Sequence, residues 1–201
     1  MRAASVPGGH FFIDTAPVYG EGGAGESILR DLLATRDDIV LTTKVGYDID
    51  AARKFPGQSE RPHDWRPESV RRQCEDSLQR LGTDHIDLYQ IHHVDRFTPW
   101  DEIWQACEVL VQQGKVLYVG SSNFAGWHIA KAQEAAKARH FVGLVSEQSL
   151  YNLDARMVEL EVIPACKDYG LGLIPWSPLA GGMLGGVLAK CALGQPHGRI
   201  P

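Results

Sequence analysis

The run FFIDTAPVYGEG, residues 11–22, closes an apolar segment with a carboxylate, Asp14, and sets a phenol, Tyr19, five residues later in a loop of Pro, Gly and Glu. A core strand has no use for a carboxylate, because an ionised group taken out of water is costly, so Asp14 either points at solvent or meets a cation from elsewhere in the chain. Lys44 ends the next apolar run, DIVLTTKV, and its ammonium reaches Asp14 if the two runs are neighbouring strands. A positive charge held beside Tyr19 favours the phenolate, which makes the phenol a proton donor for a developing alkoxide. His92, at the end of HIDLYQIHHV, is placed to orient a carbonyl or to relay that proton. Taken alone, Tyr19 reads equally well as an aromatic packing a turn; the other three residues favour the chemical reading.

These side chains need elements to position them. Short apolar runs alternate with longer amphipathic ones along the chain, the grammar of βα units. The strand candidates are HFFIDTA, DIVLTTKV, HIDLYQIHHV, KVLYVGSSN, FVGLVSEQ and GLGLIPWSPL. In RPESVRRQCEDSLQRLG, Pro67 suits a first helical turn, Val70, Cys74, Leu78 and Leu81 form one stripe, and Gly82 is a stop. TPWDEIWQACEVLVQQGK stops at Gly114, and VIPACKDYG starts around Pro164 and stops at Gly170. GWHIAKAQEAAKAR is Ala-rich, and ESILRDLLATR is a weaker helix. Such strands, covered by helices, predict a parallel sheet buried on both faces. The unexpected polar residues gather at the C-terminal strand ends: Asp14, Lys44, His92, Ser122 with Asn123, Gln148, and Trp176 with Ser177. A (β/α) barrel assembles its active site at that face from many strands, whereas a doubly wound sheet uses one crevice at a switch in strand order. Six contributing strands favour the barrel.

Composition narrows the function classes. With 44% apolar and 22% charged residues over 201 positions, the chain reads as one globular domain spanning 1–201. The 25 acidic and 20 basic residues form no basic stripe, which argues against nucleic acid as a partner. No apolar run approaches the ~20 residues of a membrane span, and Pro7, Gly8 and Gly9 interrupt any signal-peptide core, so the expected location is cytoplasmic. Cys74, Cys107, Cys166 and Cys191 are widely spaced and read as buried or incidental thiols. On a strand, adjacent His92 and His93 face opposite sides and cannot share a metal, so no metal site is expected. GEGGAGES, starting at Gly20, matches neither glycine-rich phosphate motif and reads as turn chemistry. The polar stretch of residues 46–66 is long enough for a functional or disordered loop.

FIDTAPVYG, LTTKVG, DLYQIHH, GSSNF, SEQ and PWSPLAGG, in that order, resemble the signatures of the aldo-keto reductase family through nearly the whole chain. The branch it resembles contains potassium-channel β-subunit homologues and reductases of nucleotide-linked deoxysugars. The resemblance implies a (β/α)8 TIM-barrel fold and an NADPH-dependent reduction of an aldehyde or ketone, sugar-like carbonyls included. Asp14, Tyr19, Lys44 and His92 match the catalytic tetrad, with Tyr19 as proton donor. Ser122, Asn123 and Gln148 match the positions that hold the nicotinamide carboxamide. Trp176 matches the aromatic that stacks on the nicotinamide, and Ser177, Leu179 and Gly181 fall in the loop that follows the pyrophosphate.

Against that family the six strand candidates correspond to its second through seventh, which reads as a barrel truncated to about six βα units, with the first and eighth strands missing. Two unpaired sheet edges are then expected. The family's adenosine 2′-phosphate pocket lies mostly beyond the last matched segment, which leaves NADH open beside NADPH. The expected partner is a small-molecule carbonyl substrate, with oligomeric state open. Two other readings accompany the reductase: a cofactor-sensing regulatory subunit and an inactive truncated remnant.

Overall fold

A computed structural model of the chain describes residues 4–5, 11–47 and 63–186. The apolar runs become β2 (Phe11–Asp14), β3 (Ile39–Val45), β4 (Ile86–Ile91), β5 (Val116–Ser122), β6 (Leu144–Leu150) and β7 (Gly172–Trp176). All neighbours from β2 to β7 pair in parallel and in sequential order. Six parallel strands thus curl into half of a (β/α) barrel, with helices between them. The strand order runs sequentially with no reversal, so the doubly wound alternative is set aside.

The helices form where the caps and stripes placed them. α2 (Pro67–Leu81) starts with its proline at the first position and ends on Gly82, whose φ of 68° lets its N–H reach Leu78 O at 2.9 Å. Val70, Cys74, Leu78 and Leu81 are all buried along it. α3 (Trp100–Gln112), α4 (Gly126–Ala138) and α5 (Val162–Tyr169) follow β4, β5 and β6. Trp104 of α3 is fully buried and donates its indole N–H to Ala132 O of α4 at 2.9 Å, joining the two helices inside the core. On the surface Arg139 grips Glu108 through Nε and Nη2, both at 2.7 Å. The main core lies between the sheet's outer face and α2–α5, and a smaller cluster of Leu29, Leu33, Ile39, Leu41 and Leu81 sits under the first turns.

Two elements differ from the sequence expectation. ESILRDLLATR is α-helical only in α1 (Ala24–Leu29) and continues as 3-10 turns over Arg30–Asp38. The apolar positions there are too few and too scattered to bury a full helical face. At the other difference, Ala4–Ser5 form a two-residue strand, β1, that pairs antiparallel with Phe11 and Phe12. The outer edge of β2 is therefore partly paired where an open edge was expected. β7 pairs only with β6 among the described residues.

Register carries all the strand ends to one rim. Asp14 lies opposite Thr42, Lys44 opposite Gln90, Ile91 opposite Ser121, Ser122 opposite Gln148, and Leu150 opposite Trp176. Among the described residues no helix is long and apolar enough to cross a membrane.

Candidate active site at the C-terminal strand ends

Lys44 is the centre of the site. Its side chain has no exposure, and its Nζ donates to both carboxylate oxygens of Asp14, at 2.7 and 2.8 Å, and to Thr15 O at 3.0 Å. Three acceptors satisfy the three donors of an ammonium, which is what a buried lysine requires. Asp14 keeps 30% of its side chain in contact with solvent and also accepts from Gln90 Nε2 at 3.2 Å. Gln90, buried on β4, gives its other amide hydrogen to Thr42 Oγ1 at 2.9 Å.

Tyr19 reaches this pair from the loop after β2. The ammonium of Lys44 lies 4.8 Å from its ring centroid, and the ring meets His92 edge to face at 6.2 Å. Tyr19 is 39% exposed, so its phenol is open to a ligand. The loop is clamped from behind: Gly25 N–H donates to Tyr19 O at 2.7 Å, where a Cβ on Gly25 would sit 2.5 Å from that same oxygen. Glu26, buried in α1, accepts from Thr43 Oγ1 on β3 and Arg80 Nε on α2, both at 2.6 Å. Neither Gln90 nor Glu26 was singled out from the sequence. A polar residue midway along an apolar run was the available signal for Gln90, and Glu26 resembled an ordinary helix-surface acid.

The expectation for the two histidines is corrected. β4 ends at Ile91, and His92 N–H donates to Val45 O at 3.0 Å, so the pleat that would send the rings apart stops before them. His92 and His93 stack instead, 5.4 Å apart and 14° from parallel. Tyr47 stands edge-on to both and faces His63, with which it forms an antiparallel bridge. Burial, and then the nearby His63, hold the His93 imidazole below its usual range. The long loop thus returns to the rim at His63; its residues 48–62 lie outside the described ones. Among the described residues no group of three or more His, Cys, Asp or Glu side chains has metal-binding geometry.

On the far side of the rim, Ser122 and Gln148 are neighbours across β5 and β6, both buried. Asn123 adopts a left-handed φ of 61° and is committed within the protein. Its Nδ2 donates to Ser122 Oγ at 3.0 Å and to His92 O at 3.4 Å, and its Oδ1 accepts from the indole N–H of Trp176 at 2.9 Å. Trp176 is 40% exposed. After it, Ser177, Ala180, Gly181 and Gly182 take positive φ, Gly181 and Gly182 breaking the helical geometry of the short segment Ala180–Gly185, and Leu179 is exposed. Asn152 Nδ2 ties down Ser177 O at 3.0 Å. These groups fit a nicotinamide dinucleotide: a hydroxyl and an amide beside an exposed indole face suit a planar carboxamide ring, and a turn rich in left-handed backbone lets a polyanion approach closely.

Cys74, Cys107 and Cys166 are buried free thiols, and burial pushes the first two up to about 12 and the third to about 11. Cys191 lies outside the described residues.

Comparison with known proteins agrees with this architecture. The sequence model of the "Aldo/keto reductase family" matches residues 1–189. "Uncharacterized oxidoreductase YrpG" of Bacillus subtilis (strain 168) is 51% identical over 193 residues, covering 91% of this chain and 57% of that protein. "Aflatoxin B1 aldehyde reductase member 2" of Mus musculus is 35% identical over 178 residues, covering 89% of this chain and 46% of the relative. "Probable voltage-gated potassium channel subunit beta" of Oryza sativa subsp. japonica is 34% identical over 194 residues, covering 94% and 56%. The chain spans about half the length of the curated relatives it matches. With six sequential parallel strands alternating with helices, their polar ends on one rim and a family match over most of its length, the chain belongs to the aldo/keto reductase family.

Proposed function

We propose that this chain carries the chemistry of an NADPH-dependent carbonyl reductase, which reduces an aldehyde or ketone of a small-molecule substrate to the alcohol. The observation that carries the reading is the fully buried Lys44 ammonium, fixed by Asp14 and set 4.8 Å from the ring centroid of a half-exposed Tyr19. Tyr19 gives its phenolic proton to the carbonyl oxygen as negative charge develops there. The Lys44 ammonium, held in place by Asp14 and Thr15 O, lies beside the ring that carries the negative charge left behind. His92, edge-on to Tyr19, borders the space where the carbonyl oxygen sits and orients it. The nicotinamide, when bound, supplies the hydride that the carbonyl carbon receives.

Ser122 and Gln148 are suited to hold the carboxamide, and Trp176 to stack on the ring. Asn123 serves the same end by fixing the indole through its Oδ1. The backbone of Ser177, Leu179 and Gly181 is suited to follow the pyrophosphate. Names of relatives that include an aldehyde reductase support the carbonyl class.

The test is consumption of NADPH with a panel of aldehydes, ketones and sugar-like carbonyls, for the parent and Tyr19→Phe. The variant should lose about 10²-fold or more in kcat and keep its affinity for NADPH, since only the proton donor is removed. Equal kcat in the two proteins would refute the role of Tyr19. The similarity to a channel β-subunit supports a second reading, a cofactor-sensing regulatory subunit. Tight NADPH binding without turnover on any carbonyl would favour it.

A further inference from the structure

Glu147 lies one residue before Gln148 on β6, fully buried, and the chemistry above makes no use of it. Its Oε1 accepts from Phe124 N–H at 3.0 Å and from Ser149 Oγ at 2.7 Å, and its Oε2 accepts from Ser121 Oγ. Ser121 is its partner across the β5–β6 ladder, and that ladder is irregular just before, between Val119 and Ser121. The carboxylate therefore grips both ends of the segment Ser121–Phe124, just past that irregularity, while Asn123 N–H between them donates to Gln148 O at 2.9 Å. Inside the segment stands Asn123, in its left-handed conformation, whose Oδ1 receives the Trp176 indole N–H at 2.9 Å.

From this chain of contacts we infer that Glu147 is a positioning residue: by fastening the Ser121–Phe124 turn from behind, it sets Asn123 and, through it, the orientation of the Trp176 indole. The inference rests on the proposed function only in what the indole is oriented for, a stacked nicotinamide. The link from Glu147 to the indole is a property of the chain alone. A residue that merely filled space would be replaced by leucine with little effect on Trp176. A residue that holds two donors at fixed positions needs acceptor chemistry. Glutamine retains it, because its carbonyl accepts from Phe124 N–H while its amide donates to a Ser121 hydroxyl that turns to accept.

The experiment compares the parent with Glu147→Leu, Glu147→Gln and Ser121→Ala, and Trp176→Phe isolates the Trp176 signal. Without NADPH, acrylamide quenching and anisotropy of the Trp176 emission are read as the difference from the matching Trp176→Phe background. With NADPH, its Kd is measured by titration. Glu147→Leu should raise Trp176 quenching, lower its anisotropy and weaken NADPH binding about tenfold or more. Ser121→Ala, which removes one of the two grips, should fall between, and Glu147→Gln should restore parent values. An unchanged Trp176 signal in Glu147→Leu and Ser121→Ala overturns the inference, as does a glutamine variant as perturbed as the leucine one. If Glu147→Leu does not fold, Ser121→Ala and Glu147→Gln decide alone by the same readings. If the indole loosens as expected while Trp176→Ala leaves NADPH affinity intact, the positioning role stands and the stacking reading fails.

Discussion

The two ends of the Asp14–Lys44 pair should not be equally costly to remove. Asp14→Ala deletes both short bonds to Nζ and leaves a side chain of no exposure with Thr15 O as its remaining acceptor. An uncompensated buried charge of this kind costs about 3–5 kcal/mol. Lys44→Met replaces the cation by an apolar chain of similar volume. The stranded carboxylate still has 30% of its surface in water and a hydrogen bond from Gln90, so solvent screening holds that loss to about 1–2 kcal/mol. The double variant removes both charges and should cost less than Asp14→Ala alone. Urea unfolding at neutral pH, followed by circular dichroism, reads these differences. With a slope of about 3 kcal/mol per M, Asp14→Ala moves the midpoint down by about 1–2 M and Lys44→Met by less than about 0.7 M. A lysine variant as destabilised as the aspartate variant, or an aspartate variant that loses under about 1 kcal/mol, would refute the asymmetry. The site would then be more hydrated than its geometry implies.

Three further outcomes follow from other parts of the structure. Trp176→Ala should abolish the quench of indole fluorescence on NADPH binding and weaken that binding; unchanged quench and affinity would remove Trp176 from the cofactor site. Gly46→Ala should be among the most damaging single changes, about 3 kcal/mol or more by urea unfolding. Gly46 has φ of 121°, and an added Cβ would meet Cζ2 of the buried Trp65 at 2.0 Å, so an alanine with parent stability would contradict the packing. Burial pushes the Glu147 carboxyl up to about 7, opposed by its hydrogen bonds from Ser121, Ser149 and Phe124. The folded state therefore holds this proton more tightly than the unfolded chain, whose glutamate titrates near ~4.3. The resulting stability is complete below about pH 4.3 and is lost as pH rises through about 7. Measured against Glu147→Gln, the parent should lose up to about 3–4 kcal/mol across that window, and a difference that stays flat with pH would show the carboxyl to be unshifted.

Much of the element map was legible because its signals are local. The stripe of Val70, Cys74, Leu78 and Leu81 between Pro67 and Gly82 determines α2 by periodicity and by the backbone freedom of its end residues, and neighbouring residues suffice for both. The polar ends of successive apolar runs likewise point to one rim, since parallel strands in sequence order must bring their C-terminal ends together. That an aspartate and a lysine at adjacent strand ends would pair also follows from charge and order alone. Tertiary structure decided what depends on where strands stop and on partners distant in sequence. His92 and His93 stack because Val45 and Ile91 are the last residues paired between β3 and β4, and the chain leaves the pleat after the His92 N–H bond to Val45 O, a fact of pairing and not of the HH dipeptide. Glu26 is buried because Arg80, 54 residues away, and Thr43 close over it. Asn123 faces the indole because a left-handed turn aims it there. Glu147 is a buried clamp because its donors, the Ser121 hydroxyl and the Phe124 N–H, come from the neighbouring strand and the turn that follows it, more than twenty residues away. Apolar pattern reports which residues leave water; only the assembled sheet settles which polar groups leave with them, because each must find its hydrogen-bond partner on another element.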